Sequence, residues 1–504
     1  MAWHREHAAR LARCADDLRR AGIVPSLQFQ ATLGHGDAFA GTPEEMAGRV
    51  GWRGFTGPSG IECAACNCPR DPAFLAYVRE VARLYAAAVR PVWLWIDDDL
   101  RVSNHRPAAG WAEIGCWCDR CRAAFGEHLT AEHADHAETA ASKPQRSAGA
   151  LAEEISSSTA LRAAWERFSF ASIAAVAAAI AEETHTVSPE TRFGYQHGPW
   201  PNDLQLAVFA ALREAGGGRP VGSRPGGGAY YDLDPNGPVK KAFAAARQRR
   251  VLGDPPWIDA WLPEIETYPR AFSSRTARGI LLEAIASLAY GMNGLSALVM
   301  DTRAETDEWY SGNILSPLAA ERAFLERYRD ANEGTVPAGL GVPSELPLDG
   351  VYAYALAGIP VVPGPGREFG AMVPADAALK ITSCSSRDIL RLRAEADQRA
   401  GGRLPVFAET PGVGLVVPRV APDGALRTVM LLNARIDAQR PIALRLRNLA
   451  VPGEAHRNAQ TPPRTAVWRA IGEPPATLAL RRDGTDLVAT IPSIGAWSAG
   501  WLEL

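Results

Sequence analysis

Residues 92–101 read VWLWIDDDLR, a short apolar run that ends in Asp97, Asp98 and Asp99. The β-branched and aromatic content of this run is typical of a β-strand. Side chains alternate along a strand, so we expect Asp97 and Asp99 on one face and Asp98 on the other. In parallel α/β folds the carboxyl ends of the strands hold the chemistry. The segment therefore predicts a strand whose tip carries candidate catalytic acids.

Other segments of the first 330 residues share this pattern of a short apolar run followed by polar residues. The clearest are 24–36, 191–198, 256–266 and 294–302, and less regular ones lie near 219–231 and before Cys63. Helical patterns such as 71–89 and 274–292 separate them. Strands that alternate with helices predict parallel βα units, and roughly seven such units favour a (β/α)8 TIM barrel over an open sheet. Because the chain opens on a helix, we expect either an atypical start or a first strand outside this sequence.

Composition divides the chain into three predicted domains. Residues 1–332 form the barrel, with an insertion rich in Ala, Ser and Glu at 130–160 that we interpret as a surface element. After the linker EGTVPAGLGVPSELP, residues 333–408 alternate again and predict a small α/β domain. Residues 409–504 show a period of two, which predicts a C-terminal antiparallel β-sandwich. The predicted fold class is therefore α/β, with a barrel followed by these two smaller domains.

Charge and hydropathy limit the partners and the compartment. The formal net charge of −3 over 504 residues does not favour nucleic acid or a membrane surface as a partner. No apolar run reaches the length of a membrane span. The opening MAWHREHAARLARCADDLRRAG is a charged amphipathic helix and not a secretory signal. These features, with clustered thiols, favour a cytoplasmic protein.

Six of the eight cysteines form two short clusters. The first comprises Cys63, Cys66 and Cys68, and the second, in the string CWCDRC, comprises Cys116, Cys118 and Cys121. The second cluster offers three thiolates for a tetrahedral zinc ion, and Cys68 can supply the fourth, with Cys63 or Cys66 as substitutes. Four sulfur ligands leave no position for water, so this zinc would be structural. Paired disulfides and buried thiols without a ligand are the alternatives.

Two strand tips supply the candidate catalytic residues. Neighbouring carboxylates in a partly dry site raise one another's pKa, which suits a member of the run Asp97, Asp98 and Asp99 to act as a general acid. The alternatives are a helix cap or a metal-binding loop. In WLPEIETYP, Glu264 and Glu266 share a face by alternation, so that one could be a nucleophile and the other its orienting partner. The alternative there is a solvated rim.

Polar and aromatic residues crowd the predicted strand tips. Sugar rings stack on aromatic faces, and sugar hydroxyls bond to polar side chains. The predicted substrate-binding residues are His35, Asp97, Arg101, His105, Tyr195, Gln196, His197, Trp261, Tyr268 and Asp301. Packing in the barrel core or bonding within a loop is the alternative for each histidine and aromatic residue.

At these residues the chain resembles glycoside hydrolase family 42, the β-galactosidase-like branch of clan A, as a divergent member. The resemblance covers the three-part layout and implies a barrel, an α/β domain used in trimer assembly and a small β domain. Its most specific part is the zinc motif, a Cys-Pro cysteine followed by CxCxxC. Cys68 with Pro69, and then Cys116, Cys118 and Cys121, match that motif.

The resemblance also implies catalytic roles. The family's acid is a glutamate that follows an asparagine, and IDDD places Asp98 at the asparagine and Asp99 at the acid. The family's nucleophile matches Glu266 best, with Glu264 in reserve. The implied function is a retaining, exo-acting glycosidase for a small oligosaccharide or glycoside. Because aspartate is shorter than glutamate, a non-hydrolytic or non-retaining carbohydrate-processing barrel is the alternative, followed by a zinc-dependent hydrolase.

Overall fold

The architecture comes from a computed structural model that describes most of the chain. The described residues are 1–29, 32–34, 51–100, 114–132, 147–198, 202–226, 230–232, 234, 237–266, 275–298, 308, 311–343, 354–355, 357–364, 385–410, 414–435, 437–447 and 465–504.

The first part of the chain is built on a five-stranded sheet in which the order along the sheet follows the order along the chain. Its strands are β1 (Leu27–Phe29), β4 (Trp93–Ile96), β5 (Arg192–His197), β6 (Val221–Pro225) and β7 (Ile258–Trp261). The pairings of β1 with β4 and of β4 with β5 are parallel. Each strand coincides with a predicted one, although the strands are shorter than the apolar runs that predict them.

Helices cover this sheet, as expected for βα units. They are α1 (Ala2–Arg20), α2 (Pro72–Val89), α3 (Asp119–Glu132), α4 (Ala148–Ser157), α5 (Thr159–Val187) and α6 (Asn202–Ala215). An antiparallel hairpin, β2 (Gly54–Thr56) and β3 (Glu62–Asn67), precedes α2. Within the predicted insertion at 130–160, α4 buries Leu151 and Ile155, so this stretch is packed and not purely superficial.

Local sequence explains the position of α2. Asp71 caps its N-terminus by accepting hydrogen bonds from the amides of Ala73 and Phe74, and Pro72 occupies the first turn, where its missing N–H costs nothing. Arg90 ends the helix in the left-handed region, with φ of 47°. The chain is thereby turned directly into β4.

Two glycines make room for the tryptophans of β4. A Cβ on Gly194 of β5 would lie 2.2 Å from the Trp95 ring, and one on Gly222 of β6 would lie 2.6 Å from it. Trp93 stacks on Trp95 with centroids 5.2 Å apart. The aromatic face of β4 is therefore accommodated by the absence of side chains on its neighbours in the sheet.

Helix α5 is notable for its length. Among the described residues it is the one helix long and apolar enough to cross a membrane by length and composition, and 67% of its apolar window is buried inside the protein. It contacts both α2 and α6. This burial is typical of a core helix.

The second part of the chain begins with α7 (Gly237–Val251) and contains a parallel pair, β8 (Glu264–Ile265) and β9 (Ser296–Ala297), with α8 (Ala277–Ala289) between them in sequence. A π-helical turn at Ser311–Leu315 leads into α9 (Ser316–Ala320) and α10 (Arg322–Ala331). The predicted linker carries two short strands, β10 (Val336–Pro337) and β11 (Leu340–Val342). Strand β11 pairs in parallel with β12 (Val361–Pro363), and α11 (Ser386–Arg399) follows.

The C-terminal region is antiparallel, as the period of two predicts. Its strands are β13 (Val406–Ala408), β14 (Leu415–Val420), β15 (Leu426–Asn433), β16 (Ile442–Leu446), β17 (Thr465–Ala470), β18 (Ala476–Asp483), β19 (Asp486–Ile491) and β20 (Ser498–Glu503). With β10 they follow the order β10-β14-β15-β20-β17-β18-β19-β16-β13. Strand β18 pairs through its first half with β17 and through its second half with β19, so it belongs to both layers of the sandwich. Leu431, Leu444 and Trp468 lie in the core between the layers.

By internal contacts the chain divides into two compact units. Unit 1 comprises Met1–Arg224 and Pro255–Ala260, and unit 2 comprises Pro225–Asp254 and Trp261–Leu504. The predicted domains 1–332, 333–408 and 409–504 are a finer division, which stays a proposal.

Candidate active site and cysteine cluster

Four cysteines converge in unit 1, as the sequence predicts. The sulfur atoms of Cys68, Cys116, Cys118 and Cys121 all lie within 4.8 Å of one another, and all four residues are buried. Cys68 Sγ is 3.7 Å from Cys118 Sγ and 3.6 Å from Cys121 Sγ. Sulfurs at the corners of a zinc tetrahedron would be about 3.8 Å apart, given Zn–S bonds of about 2.3 Å. The donor set and its spacing therefore fit a tetrahedral metal ion.

The polar contacts of the cluster bind separate segments together. The amide of Thr56, on β2, donates to Cys116 Sγ at 3.4 Å, and the amide of Trp117 donates to the carbonyl of Thr56 at 2.8 Å. Hydrogen bonding to Cys116 is the largest influence on the neighbouring thiols. It lowers the pKa of Cys118 and raises the pKa of Cys68. A bound metal ion would replace the protons that these close thiols share.

Cys66 lies outside this cluster. Its buried thiol donates to the carbonyl of Gly34 at 3.6 Å. The side chain of Cys63 lies outside the described residues. Of the two spare cysteines in the first cluster, Cys66 therefore supports the loop that follows β1.

The three aspartates do not continue the alternation of β4, because the strand ends at Ile96 and the chain turns there. The expectation that Asp97 and Asp99 share a face is therefore not met. Asp97 is 6% exposed, and its Oδ1 accepts from Arg224 Nη2 of β6 at 3.1 Å. This buried ion pair joins two strands of the sheet.

Asp99 points to a different partner. It is fully buried, and its Oδ2 accepts hydrogen bonds from the amides of Thr32 and Gly34, the latter at 2.8 Å. The opposite side of the same loop is held by Asn67, whose amide and side chain both donate to the carbonyl of Leu33 at 2.8 and 3.0 Å. The Asp99 carboxylate thus anchors the loop after β1, next to the segment that carries Cys68.

Asp98 is the most accessible member of the run, with partial burial between its two buried neighbours. A general acid must reach the substrate. Among the three carboxylates, Asp98 best meets this requirement, because it is partly exposed whereas Asp97 and Asp99 are buried.

The side chains of β5 separate into two faces. Tyr195 and His197 both pack against Phe209 of α6, with ring centroids 5.5 Å apart in each case. The Tyr195 hydroxyl donates to the carbonyl of Leu100 at 2.6 Å, and His197 Nε2 lies 2.7 Å from Ser223 Oγ. These contacts are typical of packing for both residues, and their substrate-binding role stays a prediction.

Burial fixes the charge of His197. It lowers the pKa of His197 to about 3, so the ring is neutral near pH 7. Gln196 is 3% exposed and alternates with these two residues along the strand, which places it on the opposite face. Of the predicted binding residues on β5, Gln196 keeps a geometry suited to that role.

Glu264 is a buried acid of unit 2 with a defined hydrogen-bond partner. It begins β8 and is 5% exposed, and its Oε2 accepts a hydrogen bond from the Tyr230 hydroxyl at 3.0 Å. Glu266 lies just beyond the end of β8 and is partly exposed. The predicted binding residue Trp261 is buried, with its amide bonded to Asn293 Oδ1 at 2.8 Å and the guanidinium of Arg249 over its ring.

Several predicted site residues lie outside the described residues. They are His35, Arg101, His105, Tyr268 and Asp301. Sequence reasoning, in turn, missed Arg224 as the partner of Asp97, and the group of charges that surrounds Tyr230. These partners come from other strands and helices, and no spacing motif connects them to the acids they contact.

No family model matches the chain, and no curated protein matches it in sequence. Solved structures do share its fold. A catalytic mutant of Gan42B, a GH42 β-galactosidase from G. stearothermophilus, is similar over 97% of this chain and 90% of that chain, with a TM-score of 0.56 and 11% identity. The α-L-fucosidase isoenzyme 2 from Paenibacillus thiaminolyticus is similar over 97% and 88% of the two chains, with a TM-score of 0.52 and 11% identity.

The β-galactosidase from Rahnella sp. R3 is a partial match. The alignment covers 70% of this chain but 56% of that chain, with a TM-score of 0.45 and 12% identity. The full-length likeness to the GH42 enzyme confirms the predicted fold class, a (β/α)8 barrel followed by a small α/β domain and an antiparallel β-sandwich.

Proposed function

We propose that the protein is a retaining glycoside hydrolase that acts from the end of a small oligosaccharide or glycoside. The observation that carries this proposal is the placement of Glu264. It is a buried carboxylate on the short parallel strand β8, and its Oε2 accepts a hydrogen bond from a tyrosine hydroxyl at 3.0 Å. The fold shared with glycosidases supports the same reaction class.

The structure favours Glu264 over Glu266 as the nucleophile. A nucleophile must hold one orientation in a site that excludes water. Glu264 is 5% exposed and bonded to Tyr230, whereas Glu266 is partly exposed. This reverses the preference that the resemblance alone gives.

Asp98 is the favoured acid and base. In the proposed reaction Asp98 protonates the leaving oxygen while Glu264 attacks the anomeric carbon, and a glycosyl-enzyme forms. Asp98 then removes a proton from a water molecule whose oxygen attacks the anomeric carbon and displaces the Glu264 carboxylate, and the sugar leaves with its original configuration. Retention requires the two carboxyl groups to be about 5 to 5.5 Å apart.

The cysteine cluster would hold a structural zinc ion. Four buried sulfurs complete a tetrahedral shell and leave no position for a reacting water. Bound there, zinc would supply cross-linking and no catalysis. This disfavours the zinc-dependent hydrolase. A trimeric assembly, by resemblance, and a cytoplasmic location, from composition, remain part of the proposal.

A panel of 4-nitrophenyl glycosides tests the activity, and Glu264→Gln tests the nucleophile. We expect at least one glycoside to be cleaved, and Glu264→Gln to lower turnover by about 10³-fold or more, because the amide cannot form the glycosyl-enzyme. Glu266→Gln is the matched control and should keep turnover within about tenfold of the unmodified protein. Equal losses in the two variants, or full turnover of Glu264→Gln, would refute the assignment.

A carbohydrate-binding barrel without hydrolysis is the second candidate. Arg224 and the loop amides engage Asp97 and Asp99, so two of the three carboxylates of that tip are bound within the protein. This candidate predicts binding of a sugar in titration calorimetry with no product released from the same compound. Cleavage of that compound would exclude it.

A further inference from the structure

A chain of buried charges lies in unit 2 behind Tyr230. Lys241 of α7 pairs with Glu283 of α8 at 3.1 Å, and Glu283 pairs with Arg275 at 2.7 Å. Arg275 reaches Asp232 at 3.5 Å. Positive and negative charges alternate along this row, and the side chains of Lys241, Glu283 and Arg275 are each at most 5% exposed. We call these four residues the charge row.

The two ends of the charge row meet the two ends of one short segment, residues 230–232. At one end the ammonium of Lys241 lies 4.7 Å from the centre of the Tyr230 ring, within the range of a cation–π interaction. At the other end Asp232 Oδ2 accepts hydrogen bonds from the amide and the hydroxyl of Thr276, at 2.7 and 2.8 Å. Both ends of the segment are therefore held by charged groups.

The docking of Asp232 depends on a glycine in the first turn of α8. A Cβ on Gly279 would lie 2.3 Å from Asp232 Oδ1, so any larger residue would displace the carboxylate. Thr276 also caps α8 by accepting a hydrogen bond from the amide of Gly279 at 3.0 Å. The carboxylate thus lies at the positive end of a helix of 13 residues, where a negative charge is stabilised.

The energetic cost of burying charges suggests that the charge row has a role other than stabilising the fold. Removing four charges from water is costly, and well-packed apolar residues would stabilise such a region at least as well. Buried ion pairs can instead fix the side chains that form them in one geometry. The charge row contacts the ring of Tyr230 through Lys241, and the hydroxyl of that ring donates to Glu264 at 3.0 Å.

We propose that the charge row is a positioning device that holds the Tyr230 hydroxyl on Glu264, and that Lys241 is a positioning residue which acts on catalysis through Tyr230. The proposal rests on the proposed role of Glu264. A hydrogen bond to a carboxylate restricts its rotation and stabilises its ionised form, both of which a nucleophile needs. Lys241 itself contacts Tyr230 and Glu283 and touches no reacting atom in this scheme.

A double-variant comparison tests the link between Lys241 and Tyr230. Lys241→Met and Tyr230→Phe should each lower kcat for a cleaved 4-nitrophenyl glycoside by about 10- to 100-fold, with KM changed less than about twofold. Because one residue acts through the other, the double variant should be no slower than Tyr230→Phe alone, within about twofold. Multiplied losses in the double variant, or an unchanged kcat in Lys241→Met, would overturn the proposal.

Lys240→Met is the matched control. Lys240 is adjacent in sequence, and it forms an ion pair with Asp234, a residue outside the charge row, at 2.9 Å. This variant should keep kcat and KM. Lys241→Arg retains the positive charge over the Tyr230 ring and should recover kcat to within about fivefold of the unmodified protein.

Crystal structures give a readout that needs no substrate. In Lys241→Met we expect the distance from the Tyr230 hydroxyl to the Glu264 carboxylate to exceed 3.5 Å, the limit of a hydrogen bond. An unchanged contact would refute the proposal even if the protein cleaves no glycoside in the panel. If this distance changes while Glu264→Gln keeps full turnover, the charge row positions Tyr230 as inferred, and the nucleophile has been wrongly assigned.

Discussion

The cysteine cluster of unit 1 and the charge row of unit 2 are both buried polar groups, but only the first can be predicted from the sequence. Three of the four cysteines fall within six residues, and the fourth precedes a proline in a separate short cluster. The charge row draws single residues from α7, α8 and two loops, and no spacing relates Asp232, Lys241, Arg275 and Glu283.

This difference follows from the chemistry of the ligands. Thiolates that bind one metal ion must approach within about 4 Å of one another, and short local spacing achieves this without the rest of the fold. Charged side chains are common on any surface, and they become informative only when the fold buries them together. We therefore assign a structural role to the predicted cysteine cluster. We assign the positioning of the proposed nucleophile to the charge row, which the sequence does not reveal.

Removal of one cluster cysteine should have the largest effect on stability. Cys118→Ser should lower bound zinc from about one equivalent to less than a tenth, and lower the free energy of unfolding by more than about 4 kcal/mol, since a structural metal ion is lost. Metal analysis and urea denaturation measure the two quantities.

Cys66→Ser is the control for that experiment. Its thiol is equally buried but bonds to Gly34 and not to the cluster, so zinc content should stay at one equivalent. Loss of zinc from Cys66→Ser, or full zinc in Cys118→Ser, would show that the ligand set is wrong.

Variants of the aspartate run separate a catalytic role from a structural role within unit 1. Asp98→Asn should reduce turnover by about 10³-fold with the fold retained, since it removes the proposed proton donor. Asp99→Asn should keep most of the turnover but lower the free energy of unfolding by about 1 to 3 kcal/mol, because the charge-assisted bonds to Thr32 and Gly34 weaken. The reverse pattern in kinetics and thermal unfolding would return the acid role to Asp99.

His197 predicts a pH dependence of stability that belongs to unit 1. Its pKa is about 3 in the folded chain and 6.5 in the reference state, because burial disfavours the charged ring. The unfolded chain therefore binds one more proton between these values, and stability falls as the pH is lowered through this window. At pH 5 the loss from this residue should be about 2 kcal/mol relative to pH 7.5.

His197→Gln provides the comparison, since an amide can still bond to Ser223 but does not titrate. Urea denaturation at pH 7.5 and pH 5 should show a smaller decrease in stability for the variant, by about 2 kcal/mol. Equal decreases in the two proteins would mean that the imidazole is not buried as described.

An accessible ion pair should matter least. Glu183 of α5 bonds to Arg83 of α2 at 2.7 Å, but the arginine side chain is 57% exposed. We expect Glu183→Ala to change the free energy of unfolding by less than about 1 kcal/mol, because solvent screens the pair. A larger change in urea denaturation would show that burial is not what separates the charge row from other ion pairs.

The main elements of the fold could be predicted because their signals are local. The strand tips at Ile96 and His197, the cap at Asp71 and the period of two beyond residue 409 are each visible in a short window of sequence. The catalytic candidates were predicted as pairs, in which the resemblance placed Asp99 and Glu266 first. Alternation along a strand could not resolve them, because β4 and β8 end before the alternation reaches Asp99 and Glu266.

The contacts of each site residue depend on the direction of its side chain, which the sequence does not give. Tyr195 and His197 both pack on Phe209, since a six-residue strand covered by a helix presents alternate residues to that helix. The preference for Glu264 depends on Tyr230, which lies 34 residues away along the chain. Such pairings need the tertiary structure.

Covalent trapping tests the assignment of the nucleophile most directly. Incubation with activated 2-deoxy-2-fluoro glycosides of the sugars that the protein cleaves should add one fluorosugar per chain, and peptide mapping by mass spectrometry should place it on Glu264. A label on Glu266 or on any other residue, or inversion of configuration with no adduct on a cleaved sugar, would contradict the proposed roles of Glu264 and Tyr230.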